Sequence, residues 1–187
     1  MVTTSLRRMR QAQPTIDTSR LRLRPFVDSD VEDIFTYASN AEVARFVSWS
    51  PHETHKDSEV FLNWIRTTTA VEPGKTFFVF AVASLQSKKV IGSIGFQNVN
   101  PLCGQIDYAL SRDHWGQGLM SEAALALKEW ALFTQPSLVR LQSFCMAGNQ
   151  GSRRVMEKMG MEYEGTLRKS MMVKGAPADI AHYALIR

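Results

Sequence analysis

The chain has 187 residues, 44% hydrophobic and 21% charged, with a net charge of +4 and a pI of about 9.2. That is ordinary globular composition, of a length that suits one domain with one sizeable core. It contains no repeat, low-complexity tract or Pro/Gly/Ser-rich linker, no apolar run near the ~18 residues of a membrane span, and no apolar h-region of a secretory signal. The cytoplasm is the default location. Two cysteines, Cys103 and Cys145, sit in apolar or turn contexts without partner spacing, which fits unpaired thiols in a reducing compartment. Residues 1–14 form a basic leader with Arg7, Arg8 and Arg10, and residues 15–187 form the single domain. The leader reads as a solvated terminus or as a nucleic-acid or ribosome contact.

Along the chain, "RLRLRPF" (20–26) alternates Leu21 and Leu23 against arginine, a strand period that Pro25 ends. In "DSDVEDIFTYAS", Ser29-x-x-Glu32 predicts a capping box, and Val31, Ile34, Phe35 and Ala38 repeat at helix spacing. A second helix opens at Thr54-x-x-Asp57, with Phe61, Trp64 and Ile65 as its apolar stripe. Strands follow at 76–82, 90–99 and 105–110, separated by "SLQSKK" and "NPLCG". A long helix begins at "WGQGLM". Another strand spans 137–147, a short helix ends at Gly160, and two last strands (161–173 and 179–187) flank "KGAPA". The order β-α-α-β-β-β-α-β-α-β-β argues against a doubly wound sheet. It predicts an α+β fold: a mixed, largely antiparallel sheet of about seven strands with helices on both faces.

The chemistry concentrates at "WGQGLM". Gly116 and Gly118 leave backbone N–H groups uncovered where a strand passes into a helix. The first N–H groups of a helix have no internal partner, so such a turn suits a phosphate or pyrophosphate. The same glycines also serve a plain turn that needs their backbone angles. A Walker A loop would need Gly-Lys-Ser/Thr, which does not follow. A G-x-G-x-x-G fingerprint would need glycine where Ser121 stands, in a first βα unit.

"YALSRDHWGQGLMSEA" resembles motif A of the GCN5-related N-acetyltransferases (GNAT), in the branch of the ribosomal-protein N-terminal (alanine/serine) acetyltransferases. The general Arg/Gln-x-x-Gly-x-Gly/Ala pattern falls on Trp115, Gly118 and Met120, of which Trp115 and Met120 depart from it. "NQGSRRVMEKMGMEYEGTLR" (149–168), "SRLRLRPF" and "DIAHYALIR" resemble further segments of that branch, so the resemblance runs from Thr15 to Arg187. It implies acetyl-CoA as cosubstrate and transfer of its acetyl group to a primary amine by direct attack in a ternary complex. It also implies a splay between the fourth and fifth strands, where the pantetheine arm lies like an added strand. Tyr108, Ala109 and Leu110 would meet that arm through their backbone, and the Leu110 N–H would polarise the thioester carbonyl. Trp115, Gly116, Gln117, Gly118, Leu119, Met120 and Ser121 would hold the pyrophosphate. Asn149 would bind the pantetheine arm, cap a helix, or both.

Ser152 matches the branch's candidate general acid and is otherwise a first-turn helix residue. The acid tyrosine of other members falls on Met156, and a proposed base glutamate falls near Met171. Asp107 is then the candidate base, directly or through water, or else a solvent-facing strand carboxylate; Glu162 and Glu164 are weaker candidates. The family layout sets Trp49, His52, Phe96, Gln97 and Phe144 around the acceptor, although aromatic residues there also suit a core. His52, His55, His114 and His182 form no metal spacing with Cys or Asp, so no metal is expected. His114 beside the glycine turn reads as a surface turn residue. The acceptor is a protein N-terminus, a ribosomal protein among the candidates, or a small-molecule amine, and the state is monomer or homodimer. No membrane or direct nucleic-acid partner is expected. A non-catalytic acetyl-CoA sensor, fed by the missing acid and base side chains, and a basic nucleic-acid-binding domain are the rival readings.

Overall fold

A computed structural model describes residues 13–69 and 76–187; the three leader arginines lie outside them. The strands are β1 (Ile16–Asp17), β2 (Leu21–Arg24), β3 (Phe77–Ser84), β4 (Val90–Asn100), β5 (Cys103–Leu110), β6 (Arg140–Met146), β7 (Glu162–Val173) and β8 (Ala176–Ile186). The helices are α1 (Val31–Ala38), α2 (Ala41–Ala44), α3 (His55–Thr68), α4 (Leu119–Thr134) and α5 (Gln150–Lys158). One sheet runs in the order β1-β2-β3-β4-β5-β6-β8-β7, and every pairing is antiparallel except β5 with β6. The expected α+β architecture is present with one more strand and one more helix than the periodicity predicts. The two-residue β1 and the four-residue α2 are too short to show a period; α2 starts where the Asn40 side chain accepts from the Glu42 and Val43 N–H groups.

The sheet is covered on both faces, and β3 records this residue by residue. Phe78, Phe80 and Val82 pack with α4 and α5, while Val79, Ala81 and Ala83 pack with α1 and α3. This is the near-continuous apolar run of a strand buried on two sides. On the α4 face, Trp130 meets the rings of Phe78, Phe80 and Phe96 edge-on at centroid distances of 5.8, 6.3 and 6.0 Å. Helix α4 buries Leu119, Met120, Ala123, Ala124, Leu127 and Ala131 against that core.

The helix ends follow local chemistry with one correction. The Asp57 carboxylate accepts from the Thr54 and Glu53 N–H groups, as the α3 capping signal predicts. Gly160, at φ +83°, closes α5 in a Schellman motif: its N–H reaches the Glu157 carbonyl, and the Met161 N–H reaches that of Met156. The Ser29-x-x-Glu32 box does not form. A 3-10 turn at Asp28–Asp30 precedes α1, and α1 has no side-chain cap. Asp30 instead takes the Val27 N–H and both Arg24 guanidinium nitrogens, at 2.8, 2.7 and 2.8 Å, tying α1 to β2. The last hairpin turns in two residues, Lys174 (φ +50°) and Gly175 (φ +79°), rather than across all of "KGAPA", so β8 begins at Ala176.

Candidate active site

The sheet parts in its middle. Strands β5 and β6 pair only at Cys103, Gly104 and Gln105. Beyond Gln105 they diverge, which is the expected splay. An antiparallel ladder alternates residues bonded to the neighbour with residues turned away from it. The Ser111 N–H donates to the Ile91 carbonyl, and the Ile91–Ser111 register continues through Ser93–Ala109 and Gly95–Asp107. Tyr108 and Leu110 therefore turn their N–H groups toward the edge that β6 leaves. Ala109 turns its amide into the β4 ladder, so of the three predicted backbone contacts only Tyr108 and Leu110 face the cleft.

A cavity of about 1210 Å³ opens from this splay. Its wall includes Asp107, Tyr108, Ala109, Leu110, Trp115, Gly116, Gly118, Leu119, Met120, Ser121, Asn149 and Ser152. Of the residues predicted to bind the donor, Gln117 lies outside it; its side-chain amide donates instead to the Asp113 carbonyl at 3.0 Å. Leu119 and Met120 bury their side chains in the core, so they offer backbone alone.

At the turn into α4, Gly116 and Gly118 hold φ of +75° and +74°. Both positions require glycine for conformation. A Cβ on Gly116 would meet nothing within 4 Å, and one on Gly118 only the Arg20 guanidinium at 3.8 Å. The turn thus leaves open space in front of the first amides of α4. Trp115 folds back, its indole N–H donating to the Leu110 carbonyl at 2.8 Å, with the Arg112 guanidinium over its ring.

Glu122, which sequence reasoning gave no role, clamps this turn. Its Oε1 accepts from Thr18 Oγ1, Ser19 Oγ and the Arg20 N–H at 2.6, 3.0 and 2.9 Å, and its Oε2 from Arg20 Nε at 2.6 Å. Arg20 also donates to the Gln117 carbonyl at 3.1 Å. Burial by itself would raise the Glu122 pKa, but these hydrogen bonds bring it down to about 2. A carboxylate spaced four residues beyond an N-cap glycine was the available signal; its partners lie about a hundred residues away in sequence.

On the opposite wall, Asn149 caps α5, its Oδ1 accepting from the Ser152 N–H at 3.0 Å. That leaves its NH₂ end for the cleft. Ser152 Oγ donates to the Tyr108 hydroxyl at 2.9 Å, and that hydroxyl donates to the Ser152 carbonyl at 3.0 Å. Burial pushes the Tyr108 phenol well above its ordinary pKa, so it stays protonated. Sequence reasoning used only the Tyr108 backbone and missed this phenol. Met156 is fully buried in the core, and Met171 lines the cavity. Arg154 and Lys158, one helical turn apart on α5, line the cavity mouth with exposed cationic side chains. Cys145 also lines it, unpaired, its thiol pushed up by burial.

Asp107 points to the other face of the sheet from Tyr108. Its neighbour across β4 is Gly95, which has no side chain to cover it. Desolvation by the cavity wall raises the Asp107 pKa, and hydrogen bonds from Gln105 (3.2 and 3.0 Å) and Gln97 act against that rise. Its side chain is exposed within the cavity, as the solvent-facing alternative expects, and the protein packed around it is what raises its pKa. Trp49, His52, Gln97 and Phe144 line the same cavity. Phe96 touches it but is 1% exposed and belongs to the Trp130 cluster, as its shared face with Ile94 and Ile106 requires. Glu164 pairs with Arg140, His55 with Glu32, and Glu162 is exposed; none lines the cavity.

An acetyltransferase (GNAT) domain family matches residues 20–162. The N-acetyltransferase YoaA of Bacillus subtilis (strain 168) is 30% identical over 176 residues, covering 93% of this chain and 97% of that one. The ribosomal-protein-serine acetyltransferase of Escherichia coli (strain K12) is 31% identical over 115 residues, 60% of each chain. The crystal structure of a GNAT-family acetyltransferase from Bacillus anthracis superimposes with a TM-score of 0.80 at 25% identity, covering 92% of this chain and 98% of that one.

Proposed function

This chain belongs to the GNAT acetyltransferase family and is an acetyltransferase enzyme, and we propose that it moves the acetyl group of acetyl-CoA to a primary amine inside the splayed cavity. The observation that carries this reading is the meeting, in one cavity, of an open glycine turn at a helix N-terminus, two inward strand amides and the Asp107 carboxylate. The α4 amides would take the pyrophosphate, and the pantetheine arm would run along Tyr108 and Leu110. Arg154 and Lys158 supply positive charge at the mouth for the remaining phosphate.

In the transfer, the amine nitrogen attacks the thioester carbon, whose carbonyl oxygen takes the Leu110 N–H. The C–N bond forms and the C–S bond breaks. Asp107, directly or through water, removes the proton that the amine loses, and its raised pKa suits that task. Ser152 Oγ, which rests as donor to the Tyr108 hydroxyl, turns to the leaving thiolate and passes it a proton while taking one back from cavity water. Holding both reactants in one cavity supplies much of the rate. Two buried thiols fit work in a reducing compartment, the cytoplasm.

The test is a mass-resolved screen of amines and N-terminal peptides with acetyl-CoA, with free thiol followed in parallel. An acceptor gaining one acetyl group per thiol released is the expected result. Tight acetyl-CoA binding without transfer to any amine would favour the sensor reading.

A further inference from the structure

Beyond the splay, the cavity continues over the α1/α3 face of the sheet. An unbroken series of rings walls this lobe: Trp49 to His52, His52 to Phe61, Phe61 to Trp64 and Trp64 to Phe77, with centroids 5.6, 6.2, 5.9 and 5.8 Å apart. His52 is part of the apolar wall rather than a charge. Burial lowers its pKa, and its Nδ1 is held 2.9 Å from Oγ of the fully buried Ser58. Phe61 and Trp64 lie stacked at 23°, each covering one face of the other, so those faces are not turned to a cation. Trp64 is nonetheless 47% exposed, the open end of the series.

The floor of the lobe is the opposite in character. Among the described residues, Asp107 is the carboxylate on that floor that no cation engages, its side chain open to the cavity and its neighbour across β4 the bare Gly95. Glu42, at the rim, is engaged by Arg112. One acid set under an aromatic wall matches a ligand with one nitrogen and an apolar body. A polyamine or aminoglycoside would bring further ammonium groups against rings with no second unengaged carboxylate, among the described residues lining the cavity, to receive them. A small polar body would leave the rings wet.

We propose, resting on the donor and amine reading above, that the lobe selects a primary monoamine carrying an aromatic or large apolar group beside its nitrogen, with Trp64 and Phe61 as the selecting side chains. That chemistry occurs in free aromatic amines and in peptides whose first residue is apolar. Initial rates with 2-phenylethylamine, L-phenylalaninamide, L-serinamide and spermidine test it, at saturating acetyl-CoA. Either aromatic amine is expected to exceed both serinamide and spermidine in kcat/KM by roughly ten- to a hundredfold. 2-Phenylethylamine in the lead marks a free amine as the source; phenylalaninamide in the lead marks a chain terminus. Trp64→Ala is expected to erase most of the preference while acetyl-CoA affinity, measured by titration, stays unchanged. Equal rates, a lead for spermidine or serinamide, or a preference that survives Trp64→Ala with Phe61→Ala would overturn the assignment. So would acetyl-CoA binding without turnover of either aromatic amine. A protein that does not bind acetyl-CoA overturns the donor reading instead.

Discussion

The two halves of the cavity are made from different parts of the polypeptide. The half proposed for the donor presents mostly backbone: the Tyr108 and Leu110 amides, and the glycine turn into α4. The half proposed for the acceptor presents side chains: five rings and Asp107. Backbone recognition needs a strand edge and a helix start in the right places, and it tolerates many residues at each position. Recognition by side chains changes with every substitution. The contrast explains how a fold can keep one donor and vary its acceptors.

The harshest way to break this contrast is to put a side chain where only backbone should act. Gly118→Glu places a Cβ at φ +74° and a carboxylate before the α4 amides. Acetyl-CoA affinity, read by calorimetry, is expected to fall on the order of a hundredfold or more, near 3 kcal/mol. The αL strain adds about 1–2 kcal/mol to the cost of folding, so the chain should stay folded. Unchanged affinity would remove the phosphate role.

The acceptor half is broken by Asp107→Asn, expected to lower kcat about a hundredfold with little change in acetyl-CoA affinity. The sign of the pH dependence follows from desolvation of the carboxyl by the cavity wall. The Asp107 pKa is raised, so a base that must be ionised loses activity on the acid side at a pH above the ordinary carboxylate range. That limb should vanish from the pH–kcat/KM profile of Asp107→Asn. A profile identical to wild type would reassign the base.

Ser152→Ala sharpens the contrast, since Ser152 touches the donor half through a side chain. Its kcat is expected to drop about tenfold, more than its KM rises, because the thiolate loses its nearest proton donor. Equal activity would take Ser152 out of the mechanism.

Glu122→Gln gives the smallest effect and bears on stability. Loss of charged hydrogen bonds to Thr18, Ser19 and Arg20 should cost about 2 kcal/mol at neutral pH, seen in chemical denaturation. The folded pKa, about 2, lies below the ordinary glutamate value. Glu122 therefore stabilises the fold above that ordinary value, and the stabilisation is lost as pH falls toward 2. The variant should lack this acid-side dependence.

Much of the donor half was legible because its signals are local. Two glycines between a strand and a helix fix a positive-φ turn, Asn149 three residues before Ser152 fixes a cap, and period two puts Asp107 and Tyr108 on opposite faces. Phe96 was readable by the same period, which sets it with Ile94 and Ile106 in the α4 core rather than around the acceptor. The Glu122 clamp was not readable, since Thr18 to Arg20 reach it only after β2 docks beside α4. Nor was the Ser29 box refuted locally, because Asp30 forms its competing bond with Arg24 across the β2–α1 corner.

By itself the sequence determined the order of the longer elements, the two-sided sheet and the glycine turn into α4, all consequences of backbone angles and hydrophobic period. Only the tertiary structure decided that the Ala109 amide faces β4, that the Tyr108 phenol holds Ser152, and that the rings of α3 share a cavity with Asp107. Those depend on which strands stop pairing and on which distant segments pack together, and periodicity along one chain carries no record of either.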